Sequence, residues 1–226
     1  MKERKISVIF KLLVISSLLI GILLNLYDAT SVVAILSYYT LQSNIICLFV
    51  FVTIIIAIFF KKYYRSSEIY YLIKGGIVIA ILITAITYQI ALAPNGFKMD
   101  FSYTLTTNKY LANLFVHFIS PILVFMDYIL FDVKGNFKWY YPFIWLITPF
   151  NYVIYVYTYS SKGGRFYGIG GSREFAYIFL DYNQIGYSGV AKAIMAIIVM
   201  ILGVSYLIVF LDKRWKMTSK KSNQVE

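Results

Sequence analysis

Tyr38-Tyr39-Thr40-Leu41-Gln42-Ser43-Asn44 interrupts an apolar run that covers residues 32–60. That run is longer than the roughly 20 residues a helix needs to cross a bilayer, so it begins with an interfacial turn or lies tilted. Polar groups inside such a helix are costly in hydrocarbon and face a bundle interior or a water-filled cavity. A second helix of this kind, residues 110–131, carries His117, the one histidine of the chain. Together these two segments point to an all-α membrane bundle with a polar site inside it.

The composition agrees. Of 226 residues, 60% are hydrophobic, 19% aromatic and only 14% charged, whereas soluble domains are about half apolar and a quarter charged. Six spans are expected, at about residues 6–24, 32–60, 70–93, 110–131, 139–160 and 189–211, forming one transmembrane domain over residues 1–226. The first follows Lys2, Arg4 and Lys5 and imitates a secretory signal. No small-residue cleavage pattern follows it, so it reads as a retained anchor. Pro94-Asn95-Gly96 marks a turn after the third span. Pro142 and Pro149 in the fifth are tolerated as kinks, because neighbouring helices can satisfy the freed carbonyls.

Charge sets the expected orientation. With the N-terminus inside, 15 of the 21 Lys and Arg residues fall on the inner side and 6 on the outer. That bias places both termini in the cytoplasm. It also absorbs most of the formal net charge of +11, so nucleic acid is not an expected partner. Lys11, Lys74 and Lys192 lie near the ends of spans, where long side chains snorkel to the interface. The single cysteine, Cys47, packs as a small hydrophobe. One His and one Cys give no basis for a metal cage. Walker A, GxGxxG, HExxH, CxxC and GxSxG patterns are absent, and no cofactor is expected.

Three helices have a polar face. Thr40, Ser43, Asn44 and Cys47 share one side of the second span, Asn113, His117, Ser120 and Asp127 one side of the fourth, and Thr148, Asn151, Tyr155 and Tyr159 one side of the fifth. Ser43, Ser120 and Thr148 read as hydrogen-bonding glue between helices, about 0.6 kcal/mol per bond. Thr40 lies about 8 residues inside its span and His117 about 7 inside its own, or roughly 12 and 10 Å at the helical rise. They are therefore level in the outer half of the bundle. An imidazole is the side chain suited to take a proton from a threonine hydroxyl near neutrality. A hydrogen-bonded structural histidine is the alternative.

Tyr39-Thr40-Leu41-Gln42-Ser43-Asn44 and Asn113-Leu114-Phe115-Val116-His117, followed by Pro121, resemble the two signature helices of the androgen-induced and androgen-dependent membrane proteins. The chain is most similar to that superfamily's small bacterial branch, whose members continue with a pattern like Phe179-Leu180-Asp181 and Gly186-Tyr187. The resemblance runs from the second helix to the sixth. Animal members are atypical threonine hydrolases of fatty acid esters of hydroxy fatty acids. The resemblance thus implies Thr40 as nucleophile, His117 as base and Asn113 in support, in a bacterial cytoplasmic membrane.

In that reading Asn44, one turn from Thr40, is the expected oxyanion donor. Asp127 is roughly 15 Å further along the His117 helix, too far to orient the ring, and is assigned to the inner interface or to a loop lysine. The long outer loop, residues 161–188, carries Lys162 and Arg165, which either meet the carboxylate head of a lipid or are solvated. They are the candidate substrate-binding cations, with Tyr155 beside them. The expected partners are a fatty acyl ester substrate and membrane lipids. A small channel or transporter remains the alternative, with His117 relaying protons and polar residues at every depth. A non-catalytic membrane protein would leave Thr40 and His117 apart.

Overall fold

The computed structural model describes residues 2–27, 29–60, 67–92, 108–168 and 171–222. The expected turn at Pro94-Asn95-Gly96 and the side chains of Lys2, Lys61, Lys62, Arg65, Lys98 and Lys109 lie outside what is described.

The chain is helical. Five helical stretches, Arg4–Tyr27, Tyr39–Phe59, Glu68–Ile90, Tyr110–Phe131 and Tyr182–Lys216, are long and apolar enough to cross a membrane. This is a multi-pass membrane protein. In chain order the elements are α1 (Lys2–Tyr27), α2 (Val32–Leu36), α3 (Tyr39–Phe59) and α4 (Glu68–Thr87), which runs into a π-helical turn at Tyr88–Leu92. Then come α5 (Asn108–Leu114), a second π-helical turn (Phe115–Ile119), α6 (Ser120–Phe131), α7 (Tyr141–Trp145) and α8 (Ile147–Ser161). A small hairpin, β1 (Phe166–Gly168) with β2 (Gly171–Arg173), and a 3-10 turn at Ile178–Leu180 lead to α9 (Tyr182–Ser222).

Several departures from the expected spans have local causes. The run at 32–60 does begin with a separate turn, α2, capped when the Ser31 hydroxyl accepts from Ala34 N. The stretch expected as one fifth helix is two, α7 and α8, joined at Leu146. Pro149 has no N–H for the Trp145 carbonyl, and the Thr148 hydroxyl donates to that carbonyl instead, at 3.3 Å. Pro121 likewise cannot bond the His117 carbonyl, and the ladder before it slips to π spacing, with Ser120 N donating to Phe115 O. The helix α8 stops in a Schellman motif: Gly163, at φ +80°, and Gly164 donate to Ser160 O and Tyr159 O, both at 2.9 Å.

The described residues of the segment expected as an outer loop at 161–188 form regular structure. Its roof is an aromatic cluster of Phe166, Phe175 and Tyr177 packed with Tyr152 and Val156 of α8 and Leu180. Asp181 caps α9, its Oδ1 accepting from Asn183 N at 3.0 Å and its Oδ2 from the Gln184 side chain at 2.7 Å. Gly186, at φ +69°, supplies the left-handed step by which α9 changes direction.

Lys11 and Lys74 correct the snorkelling expectation. Both are fully buried, and both point at Asp127: Lys11 Nζ is 2.7 Å from Oδ1 and Lys74 Nζ 2.6 Å from Oδ2. Lys74 also lies 3.6 Å from Asp132, whose other oxygen accepts from the Tyr70 hydroxyl. Asp127 is therefore a deep tie among α1, α4 and α6 and not an interface residue. Helical spacing did place these groups near span ends, but it cannot say that three of them converge. Lys192 is exposed, as expected.

Lys134, in the turn after α6, donates to the Tyr128 carbonyl and sits 3.8 Å above the Tyr128 ring. Burial lowers its amine to about 8, with the Asp132 and Asp212 carboxylates acting the other way. In the unfolded chain the amine titrates at its ordinary value, so between pH 8 and 10.5 the unfolded state binds more protons and stability rises with pH. Thermal unfolding of Lys134→Met and wild type is expected to diverge at pH 7.5 and to converge toward pH 10.

Candidate functional site

The start of α3 forms one wall of the site. Asn44 is fully buried, and its amide donates to Thr40 O at 2.7 Å and to Val116 O at 3.3 Å. It thereby ties α3 to the π-helical turn that carries His117. Ser43 does the same toward α4, sharing a 2.9 Å hydrogen bond with the Thr84 hydroxyl. Ser120 reaches α1, donating to Ser17 at 3.2 Å. Ser43 and Ser120 are thus interhelical glue, and Thr148 joins α8 to the Trp145 carbonyl of α7 and interacts with the Tyr39 side chain of α3. Cys47 is buried, with its thiol against Ile77 O.

Thr40 and His117 are both buried, at 8% and 5% exposure, but they line different cavities. Thr40 borders the larger, about 400 Å³, with α4 (Ile83, Thr84, Thr87), the α7–α8 joint, Tyr177 and Leu180 of the roof, and Ile197 and Ile201 of α9. His117 borders a second, about 220 Å³, with Gln89, Phe118, Pro121 and Phe125. Between them runs the Thr84–Tyr88 stretch, the end of α4 and the first residue of its π-helical turn. The imidazole stacks on Tyr88, ring centroids 3.8 Å apart, and interacts with the backbone of Thr84, while its Nδ1 has no hydrogen-bond partner. Tyr88 and His117 each belong to a π-helical turn, a local irregularity that recurs at functional sites.

The hydroxyls around Thr40 come from residues that helical periodicity did not single out. Tyr177 interacts with both the side chain and the backbone of Thr40. Burial pushes its hydroxyl up to about 12, so it stays protonated and available as a donor. The Tyr152 hydroxyl is buried and makes no hydrogen bond of normal geometry, although Tyr177 and the Tyr39 backbone are close by. An unpaired buried hydroxyl costs on the order of 1–3 kcal/mol. Here it stands with the Thr40, Thr84 and Tyr177 hydroxyls in the wall of a largely apolar cavity, where a carbonyl oxygen would satisfy it.

The other candidates are placed less centrally. Both amide donations of Asn44 go to backbone carbonyls and it does not border the Thr40 cavity, so it is not placed to receive an oxyanion there. Asn113 is half-buried one turn before His117. The Tyr155 hydroxyl is held by Ser37 at 2.6 Å. Lys162 and Arg165 are exposed at the end of α8 and beyond it, and neither borders the Thr40 or the His117 cavity. Among the described residues no group of His, Cys, Asp and Glu could hold a metal ion.

Fold and site thus define a multi-pass membrane protein with an apolar cavity that ends in hydroxyl groups. Comparison with protein-family models, with curated proteins and with solved structures found no match.

Proposed function

We propose that this protein is an intramembrane hydrolase of fatty acyl esters with Thr40 as nucleophile, akin to the small bacterial branch that its signature helices resemble. In that reading it crosses the bacterial cytoplasmic membrane six times, α7 and α8 together making the fifth crossing, with both termini in the cytoplasm. The observation that carries the proposal is that Thr40 borders a largely apolar 400 Å³ cavity together with the buried Tyr152 and Tyr177 side chains, Tyr177 interacting with Thr40 itself.

Thr40 Oγ1 attacks the ester carbonyl, its proton passes by way of His117 to the departing alcohol, and water later releases the acyl group from Thr40 by the reverse use of the base. Tyr152, not Asn44, donates to the oxyanion. His117 stands one layer behind the cavity wall, so the base step requires the Thr84–Tyr88 stretch to shift. Tyr88 and His117 each lie in a π-helical turn, the kind of irregularity that recurs at functional sites. Replacing Tyr152 by Phe is expected to lower turnover of a long-chain ester by about 10²-fold, the scale of one oxyanion donor, with the melting temperature held.

Beneath the site the core is apolar, with Cys47, Phe51, Ile77, Val78, Ile81 and Val124 between the Thr40 level and Asp127. That layer favours a closed pocket over a transport path. A lipid-binding protein without hydrolysis is the second reading, favoured by the separate cavities of Thr40 and His117. A fluorophosphonate probe on the purified protein in detergent tests the choice. Covalent labelling that Thr40→Ala removes supports the hydrolase, and a folded wild type that takes no label leaves only the binding reading.

A further inference from the structure

The Thr40 cavity changes character along its length. At one end the bordering groups are buried: Thr40 and Thr84 from α3 and α4, Tyr152 from α8 and Tyr177 from the roof. Elsewhere its border is Phe143, Ile147 and Phe150, which are 53%, 53% and 64% exposed. The same three side chains belong both to the cavity wall and to the outer surface of the bundle. They flank Leu146, where the helix is interrupted and α7 and α8 diverge. The surface beyond them, with Ile154 also half exposed, is apolar, as a flank facing acyl chains must be.

The wall chemistry limits what enters. Among the described residues that border the cavity none is Asp, Glu, Lys, Arg or His, and the polar groups are threonine and tyrosine hydroxyls. A carboxylate or phosphate drawn inside would lose its water without gaining a counter-ion. An ester carbonyl needs only a hydrogen-bond donor, and the Tyr152 and Tyr177 hydroxyls border the cavity. The size is also limiting. At about 30 Å³ per water-sized group, a cavity of about 400 Å³ holds roughly a dozen methylenes, so one chain fits, and a longer one must extend out past Phe150.

We propose that the cavity takes a single acyl chain of an uncharged lipid ester directly from the bilayer, through a lateral opening bounded by Phe143, Ile147 and Phe150 of the α7–α8 segment and Ile198 of α9. The ester group comes to rest at the hydroxyl end beside Thr40. This deepens the hydrolase reading and rests on it for the identity of the site, but the binding does not require turnover. It also sets the substrate class apart from lipids with an anionic or zwitterionic head.

The test uses full-length Thr40→Ala protein in phosphatidylcholine vesicles with three photoreactive 16-carbon probes: a methyl ester, the free acid at pH 8 and a lysophosphatidylcholine. Methyl ester adducts are expected on peptides containing Phe150 and Ile197–Ile198, at about tenfold or more over the other two probes, as desolvation of an unpaired charge requires. Filling the opening with Ile198→Trp, or with Ile147→Trp should the first variant not fold, is expected to remove most of this labelling. Equal labelling by the acid or the lysolipid overturns the uncharged class. Ester adducts that persist in the folded Trp variants overturn the lateral opening. Cavity labelling in a wild type that never turns over an ester removes the hydrolase and leaves this proposal standing, and turnover without cavity labelling does the reverse.

Discussion

Hydrolysis of a long-chain methyl ester by Thr40→Ala is expected to fall to the background rate, while Thr40→Ser keeps measurable activity. Thr40 supplies the atom that forms the covalent bond, so nothing in the cavity can replace it. The alanine variant should fold, because the hydrogen bonds that hold this turn use the Thr40 carbonyl and the Asn44 and Ser43 side chains, not the Thr40 hydroxyl. His117→Ala is expected to lower turnover by about 10²- to 10⁴-fold, the range for a general base. A structural role predicts something different. If His117 only packs against Tyr88, then His117→Phe keeps the stack and should restore activity as well as stability. Recovery of the melting temperature without recovery of turnover marks His117 as a base. Recovery of both removes it from the mechanism.

Asp127→Asn is expected to destabilise the protein by about 3–5 kcal/mol, the cost of breaking a buried ion pair from one side. Asp127 holds two ammonium groups, Lys11 at 2.7 Å and Lys74 at 2.6 Å, and all three side chains are shielded from solvent. Against a total stability of about 5–15 kcal/mol, this should appear as a collapse in folded yield from detergent. Adding Lys11→Met to Asp127→Asn should recover part of the loss, because Lys74 retains Asp132 at 3.6 Å and no second ammonium is left unpaired. Monodispersity and melting temperature measured on the two variants decide it. A double variant no better than Asp127→Asn would mean that the Lys11 charge is accommodated elsewhere.

Much of the site's framework could be read from residue order. Thr40, Ser43 and Asn44 recur on one helical face, and the structure uses Ser43 and Asn44 to bind α3 to its neighbours. The helical rise set Thr40 and His117 level, and Asn44 ties the Thr40 backbone to that of Val116, the residue before His117. Tyr177 and Tyr152 were not legible. Among 22 tyrosines, nothing in the order of residues separates one that enters a cavity from those that pack between helices. Tyr177 reaches Thr40 only because the hairpin and the 3-10 turn fold the 161–188 segment back over α3 and α8.

The sequence alone determined that this chain is helical and membrane-embedded, because an apolar backbone in hydrocarbon has to satisfy its own hydrogen bonds and only a few closed arrangements do so. It also marked Pro142 and Pro149 as kinks, since a missing N–H is a local fact of the chain, whereas the slip to π spacing before Pro121 came only from the structure. Tertiary structure alone decided which polar groups meet. Lys11, Lys74 and Asp127 come from three helices, separated by 116 and 53 residues from their partner, and their pairing depends on helix rotation and packing. The same packing places Thr40 and His117 on opposite sides of the Thr84–Tyr88 stretch, because each faces whatever gap its neighbours leave.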